Sequence, residues 1–249
     1  MRKVAEVNLI FWIMKICATT VGETGGDMLS MTLNIGYGLS SIILISFFII
    51  TLIIQLVSKS YHPVLYWLVI LSTSTAGTTL SDYMDRTLGL GYALGSLILV
   101  ILLMSMLTIW WKTEKSLSVT DIKTFRPEMF YWITILISNT LGTALGDYLA
   151  DDSGLGFAGG ALLIGSLILL VVILKYSTSI SAVLLFWIAF ILTRPFGATF
   201  GDLLTKTTEK GGLNLGTIGS SIVLLSILFL LIIYSVINHK NKPKINTSI

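Results

Sequence analysis

The sequence predicts an all-α integral membrane protein whose eight transmembrane helices form four parallel two-helix repeats. Three observations lead to this prediction: the composition is apolar, eight apolar segments have the length of a membrane span, and one spacing pattern occurs four times. The 249-residue chain is 54% hydrophobic and 12% charged, with a mean hydropathy of +0.89. Soluble domains carry about 25% charged residues. We therefore interpret residues 1–249 as a single membrane domain.

The eight predicted spans follow one another with short polar connections. They lie at residues 8–27, 37–57, 64–82, 91–111, 129–147, 156–174, 183–202 and 216–237. A helix of about 20 residues is about 30 Å long, which matches the hydrocarbon core of a bilayer. Because no water in that core can satisfy free backbone groups, such segments are expected to be helical. Arg2 and Lys3 precede the first span as in a signal peptide, but this span carries the repeat pattern and is interpreted as structure.

One spacing pattern occurs in every odd-numbered span. A Trp precedes an Asp by fifteen residues, another aromatic residue precedes the Trp, and a Gly lies five residues before the Asp. The Trp and Asp pairs are Trp12 and Asp27, Trp67 and Asp82, Trp132 and Asp147, and Trp187 and Asp202. The aromatic residues are Phe11, Tyr66, Tyr131 and Phe186, and the glycines are Gly22, Gly77, Gly142 and Gly197. Such an internal repeat defines the architecture.

The spacing of the repeats predicts two similar four-helix halves. The repeats lie at approximately residues 8–58, 63–112, 128–175 and 183–238, with a linker at 112–127 and a basic tail at 239–249. A two-helix unit returns to the side on which it began, so all four repeats enter the membrane in the same direction. Eleven Lys and Arg residues lie on the side of the termini and three on the other side. The positive-inside rule thus places both termini and the linker in the cytoplasm.

The two helices of a repeat differ in composition. The even-numbered spans are aliphatic at residues 42–57, 97–107, 162–174 and 222–233, which suits contact with lipid. The odd-numbered spans carry hydroxyl and amide side chains, among them Asn139 and Thr143, which can hydrogen-bond between helices. We therefore expect the odd helices inside and the even helices facing lipid. The net charge of +3 reflects this topology, and no nucleic-acid partner is expected.

Small residues in the odd-numbered spans predict close helix contacts. Each of the four glycines that precede an Asp is followed, four residues later, by another small residue, and such pairs let backbones approach closely. The even-numbered spans begin with similar glycines, Gly36, Gly91, Gly156 and Gly216. Together these features imply four tight crossings near the outer surface. The Trp residues, about 22 Å from the Asp residues, are interpreted as membrane-interface anchors, with ligand binding as the alternative. Cys17 is expected to be a buried small hydrophobe.

Four tandem two-span units with a characteristic Trp resemble a family of bacterial uncharacterised membrane-anchored proteins that contain a repeat of unknown function. The resemblance extends from about Phe11 to Tyr234. It implies a multi-pass protein of the bacterial inner membrane and brings no function with it. The fourth repeat departs from the pattern, because Asp202 and Gly216 are fourteen residues apart whereas the corresponding spacing in the other repeats is nine. We therefore expect a different shape for the fourth outer loop.

The recurring Asp residues have two interpretations. Ionisable side chains within membrane spans commonly mark ion or proton routes. Each Asp, however, falls at the outer end of its span and precedes a short loop, so it could instead cap the turn that follows. Repetition does not decide between the two, because four similar turns would need four similar caps.

Basic residues within the spans favour an ion route. Lys15, Thr19, Glu23 and Asp27 are spaced by four residues and form a polar row on one side of the first helix, with Lys15 near the middle of the membrane. Arg194 stands eight residues before Asp202 and directly before Pro195. Pro195 removes a backbone donor from the helix; such interruptions occur beside ion sites in transporters, and a purely structural kink is the more common alternative. Alternatively, Lys15 and Arg194 only neutralise the carboxylates and lock the helices together.

The outer loops add acidic residues that would concentrate cations at an entrance, namely Asp85, Asp151, Asp152 and Glu209. A donor set of carboxylates, hydroxyls and one amide suits Mg²⁺, Mn²⁺ or protons. The candidate metal ligands are Glu23, Asp27, Asp82, Asp147 and Asp202. No catalytic or nucleotide-binding motif is present, so we expect neither enzyme activity nor a cofactor.

We predict a small-cation transporter or channel that uses the carboxylates at the outer ends of the odd helices. The ion-path candidates are Glu23, Asp27, Asp82, Asp147, Asp202, Lys15, Arg194, Thr143 and Asn139. The alternative is a membrane scaffold or accessory subunit in which the Asp residues cap turns and a partner binds the linker or the basic tail. We expect the protein to contact the lipid bilayer and a small cation, and a homo-oligomer is compatible with the sequence.

Overall fold

The computed structural model describes residues 3–120 and 122–241, so most of the predicted basic tail and Arg2 lie outside the described residues. This part of the chain contains no strand and eight long α-helices. They are α1 (Leu9–Asp27), α2 (Tyr37–Val57), α3 (Pro63–Asp82), α4 (Tyr92–Glu114), α5 (Phe125–Asp147), α6 (Gly156–Ser177), α7 (Ala182–Thr205) and α8 (Thr217–Asn241). Each helix coincides with one predicted span. Seven of these eight are long and apolar enough to cross a membrane; α1 is not among them, because Lys15 and Glu23 lower its mean hydropathy.

Local sequence signals explain where the helices begin. The Asn8 side chain accepts a hydrogen bond from the Phe11 N–H and caps α1. Pro63 occupies the first turn of α3, where its missing N–H has no cost. After the recurring Asp, α1, α3 and α5 each continue into a π-helical turn, at Met28–Thr32, Tyr83–Thr87 and Tyr148–Asp152. The fourth outer loop instead contains a 3₁₀ turn at Thr208–Lys210, which confirms its predicted difference.

The odd-numbered helices form a closed inner ring. Helix α1 contacts α3 and α7, and α5 also contacts α3 and α7. The even-numbered helices surround this ring: α2 packs on α3, α4 on α5, α6 on α7 and α8 on α1. Each even helix thus packs on the odd helix of the next repeat, and the fourth repeat closes back onto the first. The apolar stretches of α3 and α5 are 67% buried and that of α7 is 50% buried, against 17–33% for the even helices, so the odd helices lie inside, as predicted.

The inner faces of the four odd helices share one register. In each odd helix, the residues four, eight, twelve and sixteen positions before the recurring Asp are all buried. We name the two ends of this inner bundle by their residues. The carboxylate end contains Asp27, Asp82, Asp147 and Asp202, and the aromatic end contains Phe11, Tyr66, Tyr131 and Phe186.

The glycines of the repeat lie at the contacts between neighbouring inner helices. Gly22 packs against Ser74, Gly77 against Asn139, Gly142 against Arg194, and Gly197 against Thr19. In each pair the glycine is five residues before its Asp, and its neighbour is eight residues before the Asp of the next repeat. A Cβ at any of these four positions would overlap the neighbouring helix. The predicted close approach is therefore present at all four interfaces.

We expect Gly77→Ala to destabilise the protein by about 1–3 kcal/mol, because the new methyl group meets the backbone of Asn139 and Thr140, which cannot rotate away. Gly25→Ala is the matched control: its methyl group would make an ordinary contact of 3.6 Å with Thr75 Cγ2, and alanine is the better helix former. Thermal unfolding in detergent measures both variants. Equal melting temperatures would contradict the packing described here.

The glycines at the starts of the even helices take no part in these four close contacts. Gly36, Gly91, Gly156 and Gly216 have φ angles of +81°, +70°, +67° and +76°. A Cβ added at any of them would meet no atom within 4 Å. Their role is conformational, because a positive φ lets the chain leave the outer turn and enter the next helix.

The prediction that the recurring Trp residues anchor the protein at the membrane interface is wrong for three of them. Trp67, Trp132 and Trp187 are buried, and Trp12 is partly buried. Each Trp packs on the aromatic-end residue of the preceding repeat, in the pairs Trp67 and Phe11, Trp132 and Tyr66, Trp187 and Tyr131, and Trp12 and Phe186. Their ring centroids are 5.5–6.4 Å apart. The Trp residues thus join neighbouring inner helices.

The N-terminal segment and the linker cover the aromatic end. Lys3 forms an ion pair with Glu128 at the start of α5, and Gln55 of α2 donates a hydrogen bond to the same carboxylate at 2.9 Å. The Lys3 N–H donates to the carbonyl of Ile122 in the linker. The indole N–H of Trp187 donates to the carbonyl of Leu117 at 3.0 Å. Cys17 is buried as predicted, with its thiol near the Leu224 carbonyl.

Candidate functional site

The four Asp side chains lie buried at one end of the inner bundle. Asp27, Asp82 and Asp147 are the last residues of α1, α3 and α5, whereas Asp202 lies in the last turn of α7. Each is 2–3% exposed. None of the first three caps the π-helical turn that follows it. Their carboxylates therefore do not act as the turn caps that the sequence allowed, and they bind basic side chains instead.

Two basic residues bridge the Asp residues in pairs. Arg86 Nε lies 2.8 Å from Asp82 Oδ1, and its Nη2 lies 3.2 Å from Asp147 Oδ2. Lys206 Nζ lies 2.5 Å from Asp27 Oδ2 and 3.1 Å from Asp202 Oδ1. Burial lowers the pKa of Lys206, but Asp202 and Asp27 raise it by more, so the pKa lies above that of lysine in water and Lys206 stays charged. Each basic residue thus joins two neighbouring repeats.

One turn deeper, Glu23 and Arg194 form a buried ion pair at 3.1 Å. Arg194 is fully buried, and its guanidinium also donates to the hydroxyls of Thr78 and Thr143. The Thr78 and Thr143 hydroxyls both lie 3.4 Å from Glu23 Oε2. These contacts bring together side chains from all four inner helices, including the predicted candidates Glu23, Arg194 and Thr143.

Deeper still, Lys15 occupies the core without a carboxylate partner among the described residues. Its ammonium group donates to Asn139 Oδ1 at 3.3 Å and lies 4.0 Å from the centre of the Phe190 ring. The Asn139 amide in turn donates to Thr73 Oγ1 at 3.0 Å. Lys15 therefore does not neutralise a carboxylate directly, in contrast to Arg194.

The aromatic end closes the bundle beyond Lys15. The hydroxyls of Tyr66 and Tyr131 are 2.5 Å apart, and the rings of Phe11 and Phe186 lie 6.3 Å apart between centroids. All four side chains are buried. Aromatic side chains from all four inner helices thus lie across this end of the bundle.

Five carboxylates and three basic side chains meet at the carboxylate end in the part of the chain that the structure describes. We call Glu23 and the four Asp residues the carboxylate cluster; its ion-pair partners are Arg86, Arg194 and Lys206. If all are ionised, two negative charges remain uncompensated. Oxygens of Glu23, Asp147 and Asp202 lie within 4.8 Å of one another, a donor set that suits Mg²⁺ or Mn²⁺. The arrangement can therefore hold a small cation or protons.

Two sequence predictions about this region are corrected. Asp85 does not line an acidic entrance, because it is buried against Gly95 of α4; Asp151, Asp152 and Glu209 are exposed. Pro195 does not break α7, which runs continuously from Ala182 to Thr205.

Arg86 and Lys206 also belong to the site, although the repeat pattern does not single them out. Both follow an Asp by four residues, which is the spacing of an ion pair on a helix. That spacing is the signal in the sequence that indicates them.

The fold and the site define the class of this chain: a membrane-like helical protein made of four tandem repeats. It belongs to the family described as Repeat of Unknown Function (DUF347), with matches at residues 10–61, 65–116, 130–181 and 185–241. No curated protein and no solved structure matches the chain. The family therefore supports the repeat architecture, and the function has to be argued from the site.

Proposed function

We propose that this chain is a multi-pass protein of the bacterial inner membrane that transports a small cation through the carboxylate cluster. In this proposal all four repeats enter the membrane in the same direction, and both termini are cytoplasmic. The proposal is supported by the meeting of four Asp residues at one end and of four aromatic residues at the other. Extracytoplasmic labelling of single cysteines at positions 31 and 208, with labelling at position 118 only from the cytoplasm, tests the orientation.

The charge balance of the carboxylate cluster carries the functional proposal. Burying uncompensated charge is costly, and a buried carboxylate without a partner is normally neutralised or bound to a cation. Two protons or one divalent cation would neutralise the excess of two negative charges that the described ion pairs leave. We therefore propose Mn²⁺ or Mg²⁺ as the transported ion, with protons as the coupling ion. No enzymatic step forms part of the proposal.

The cluster offers variants that remove charge without leaving a basic residue unpaired. After Asp147→Asn, Arg86 keeps Asp82, and after Asp202→Asn, Lys206 keeps Asp27. Both variants should therefore fold. In proteoliposomes with an internal metal-quenched dye, we expect each to lower the initial rate of Mn²⁺ uptake at least about tenfold. Asp152→Asn, which removes an exposed carboxylate close to Asp147 in the chain, should leave the rate unchanged.

Two results would count against transport. One is a folded parent protein that moves neither Mn²⁺, Mg²⁺ nor protons across the bilayer. The other is undiminished uptake by well-folded Asp147→Asn and Asp202→Asn variants.

A non-transporting scaffold is the alternative. Two observations favour it: every member of the carboxylate cluster lies within 3.2 Å of a basic nitrogen, and the aromatic end is closed. In the linker, Val119 and Ile122 are buried, whereas most of its other described residues are exposed and offer a surface to a partner. A scaffold would give no ion flux in the parent protein or in any variant, and changes in the cluster would lower only its stability. The same proteoliposome experiment therefore separates the two functions.

A further inference from the structure

The residue at one level of the inner bundle differs in kind among the four repeats. Eight residues before the recurring Asp stand Thr19, Ser74, Asn139 and Arg194. Three of these side chains are short and neutral, and the fourth is a long cation. Arg194 is fully buried, so this cation has been placed in the core by the fold and does not reach solvent.

The Arg194 guanidinium lies between all three other inner helices. Nη1 donates to the carbonyl of Thr19 in α1 at 3.1 Å. Nη2 donates to the carbonyl of Ser74 in α3 at 3.3 Å and to the hydroxyl of Thr143 in α5 at 2.7 Å. A group that contacts three helices of a four-helix ring while belonging to the fourth occupies the centre of that ring.

This position separates two polar regions of the bundle. Toward the carboxylate end, Arg194 meets Glu23, which belongs to the carboxylate cluster. Toward the aromatic end lie Lys15 and Asn139. A guanidinium keeps its proton in proteins, so it cannot relay protons from one region to the other. Its fixed positive charge also opposes the passage of cations, as an arginine does in selective pores.

We infer that Arg194 is the charge barrier of the bundle, which prevents cations and protons from leaking along its centre. The inference rests on the proposed transport function, because a barrier matters only where ions enter the carboxylate cluster. Glu23 links the two: its carboxylate holds the guanidinium at 3.1 Å, and a cation bound to that carboxylate would compete with Arg194. A cation that binds the carboxylate cluster would thereby weaken the contact that holds the Arg194 guanidinium in place.

A passive proton-leak experiment tests the barrier without requiring a known substrate. The full-length protein is reconstituted into vesicles with an internal pH-sensitive dye, and a potassium diffusion potential is applied with valinomycin. Arg194→Gln removes the charge but keeps the β- and γ-carbons, which pack on Gly142. We expect this variant to leak protons at least about tenfold faster than the parent. Arg194→Lys keeps the charge and should remain as tight as the parent.

Arg126→Gln is the matched control, because it makes the same chemical change at an exposed position of α5 and should not leak. A folded Arg194→Gln variant as tight as the parent would overturn the inference. Equal leaks from Arg194→Gln and Arg194→Lys would also overturn it, since they would indicate loosened packing in place of a lost charge.

The Arg194→Gln variant leaves Glu23 without its partner and could fail to fold for that reason. The double variant Arg194→Gln with Glu23→Gln leaves no uncompensated charge from this pair, so its leak answers the same question. Failure of the barrier and failure of transport remain distinguishable. If the parent transports no ion but the Arg194→Gln variant leaks, the barrier is supported and transport is rejected. If the parent transports an ion but the variant remains tight, transport is supported and the barrier is rejected.

Discussion

Lys206→Met should destabilise the protein by about 3–5 kcal/mol, the usual cost of breaking a buried ion pair by removing one partner. The variant leaves two carboxylates without their shared cation, since Lys206 Nζ lies 2.5 Å from Asp27 and 3.1 Å from Asp202. Methionine has a similar length and an apolar stem, so the loss can be attributed to charge. Chemical or thermal unfolding in detergent measures it.

Two comparisons isolate the cause. Lys210→Met removes an exposed lysine from the same outer loop. The free energy of unfolding of this variant should stay within about 0.5 kcal/mol of the parent value. Adding Asp27→Asn and Asp202→Asn to Lys206→Met should restore much of the loss, because no carboxylate is then left unpaired. A Lys206→Met variant as stable as the parent would show that the carboxylates do not depend on this lysine.

The same variant links stability to the proposed function. Without Lys206 the cluster gains one more uncompensated negative charge, so a bound divalent cation should be favoured. Mn²⁺ at about 100 times its dissociation constant would then stabilise the variant by about 2.7 kcal/mol. Stabilisation of Lys206→Met that exceeds that of the parent is the expected result, whereas Mn²⁺ without effect on either protein would count against a metal in the cluster.

The sequence predicted the helices well because their signals are local. The predicted spans at residues 64–82 and 129–147 end at the same Asp residues as α3 and α5, since apolar length and the following turn residues define both. The inner position of the odd helices was also predictable, because hydroxyl and amide side chains such as Thr143 gain more between helices than in lipid.

The packing of one repeat on the next was not predictable from such signals. Hydropathy does not show that α2 packs on α3 and α8 on α1, since every even helix is similarly aliphatic. The burial of Trp67 and Trp132 was unpredictable for the same reason. Trp is typical both of membrane interfaces and of helix contacts, and only the position of the preceding repeat shows which of the two applies.

The candidate site was predicted in its carboxylates but not in its charge balance. Asp82 and Asp147 belong to a position that is Asp in all four repeats, whereas a basic residue four positions later occurs only in two of them, as Arg86 and Lys206. A position that is basic in only two of four repeats does not stand out in the repeat pattern. Arg194 stands out in the sequence because a charge within an apolar span is unusual. Its contacts with three other helices depend on ring closure, which no single span encodes.

Lys15→Met is expected to stabilise the protein by about 1–3 kcal/mol, because an apolar side chain of similar length avoids the cost of burying a polar group that has no carboxylate beside it among the described residues. Two interpretations of Lys15 predict opposite signs. If it neutralised a carboxylate, the variant would leave that carboxylate buried and unpaired and would unfold more easily. The described contacts of Lys15 are instead the Asn139 amide oxygen at 3.3 Å and the face of Phe190.

Methionine fits the Lys15 site because its thioether can pack on the Phe190 ring, and no carboxylate there loses a partner. Unfolding in detergent measures the sign directly. Lys112→Met, an exposed change of the same kind at the end of α4, should have little effect. A loss of about 3 kcal/mol or more in Lys15→Met would show that Lys15 supports the carboxylate cluster through the bundle. A gain would mean that a buried cation is kept at a cost in stability, as expected of a residue that serves ion movement.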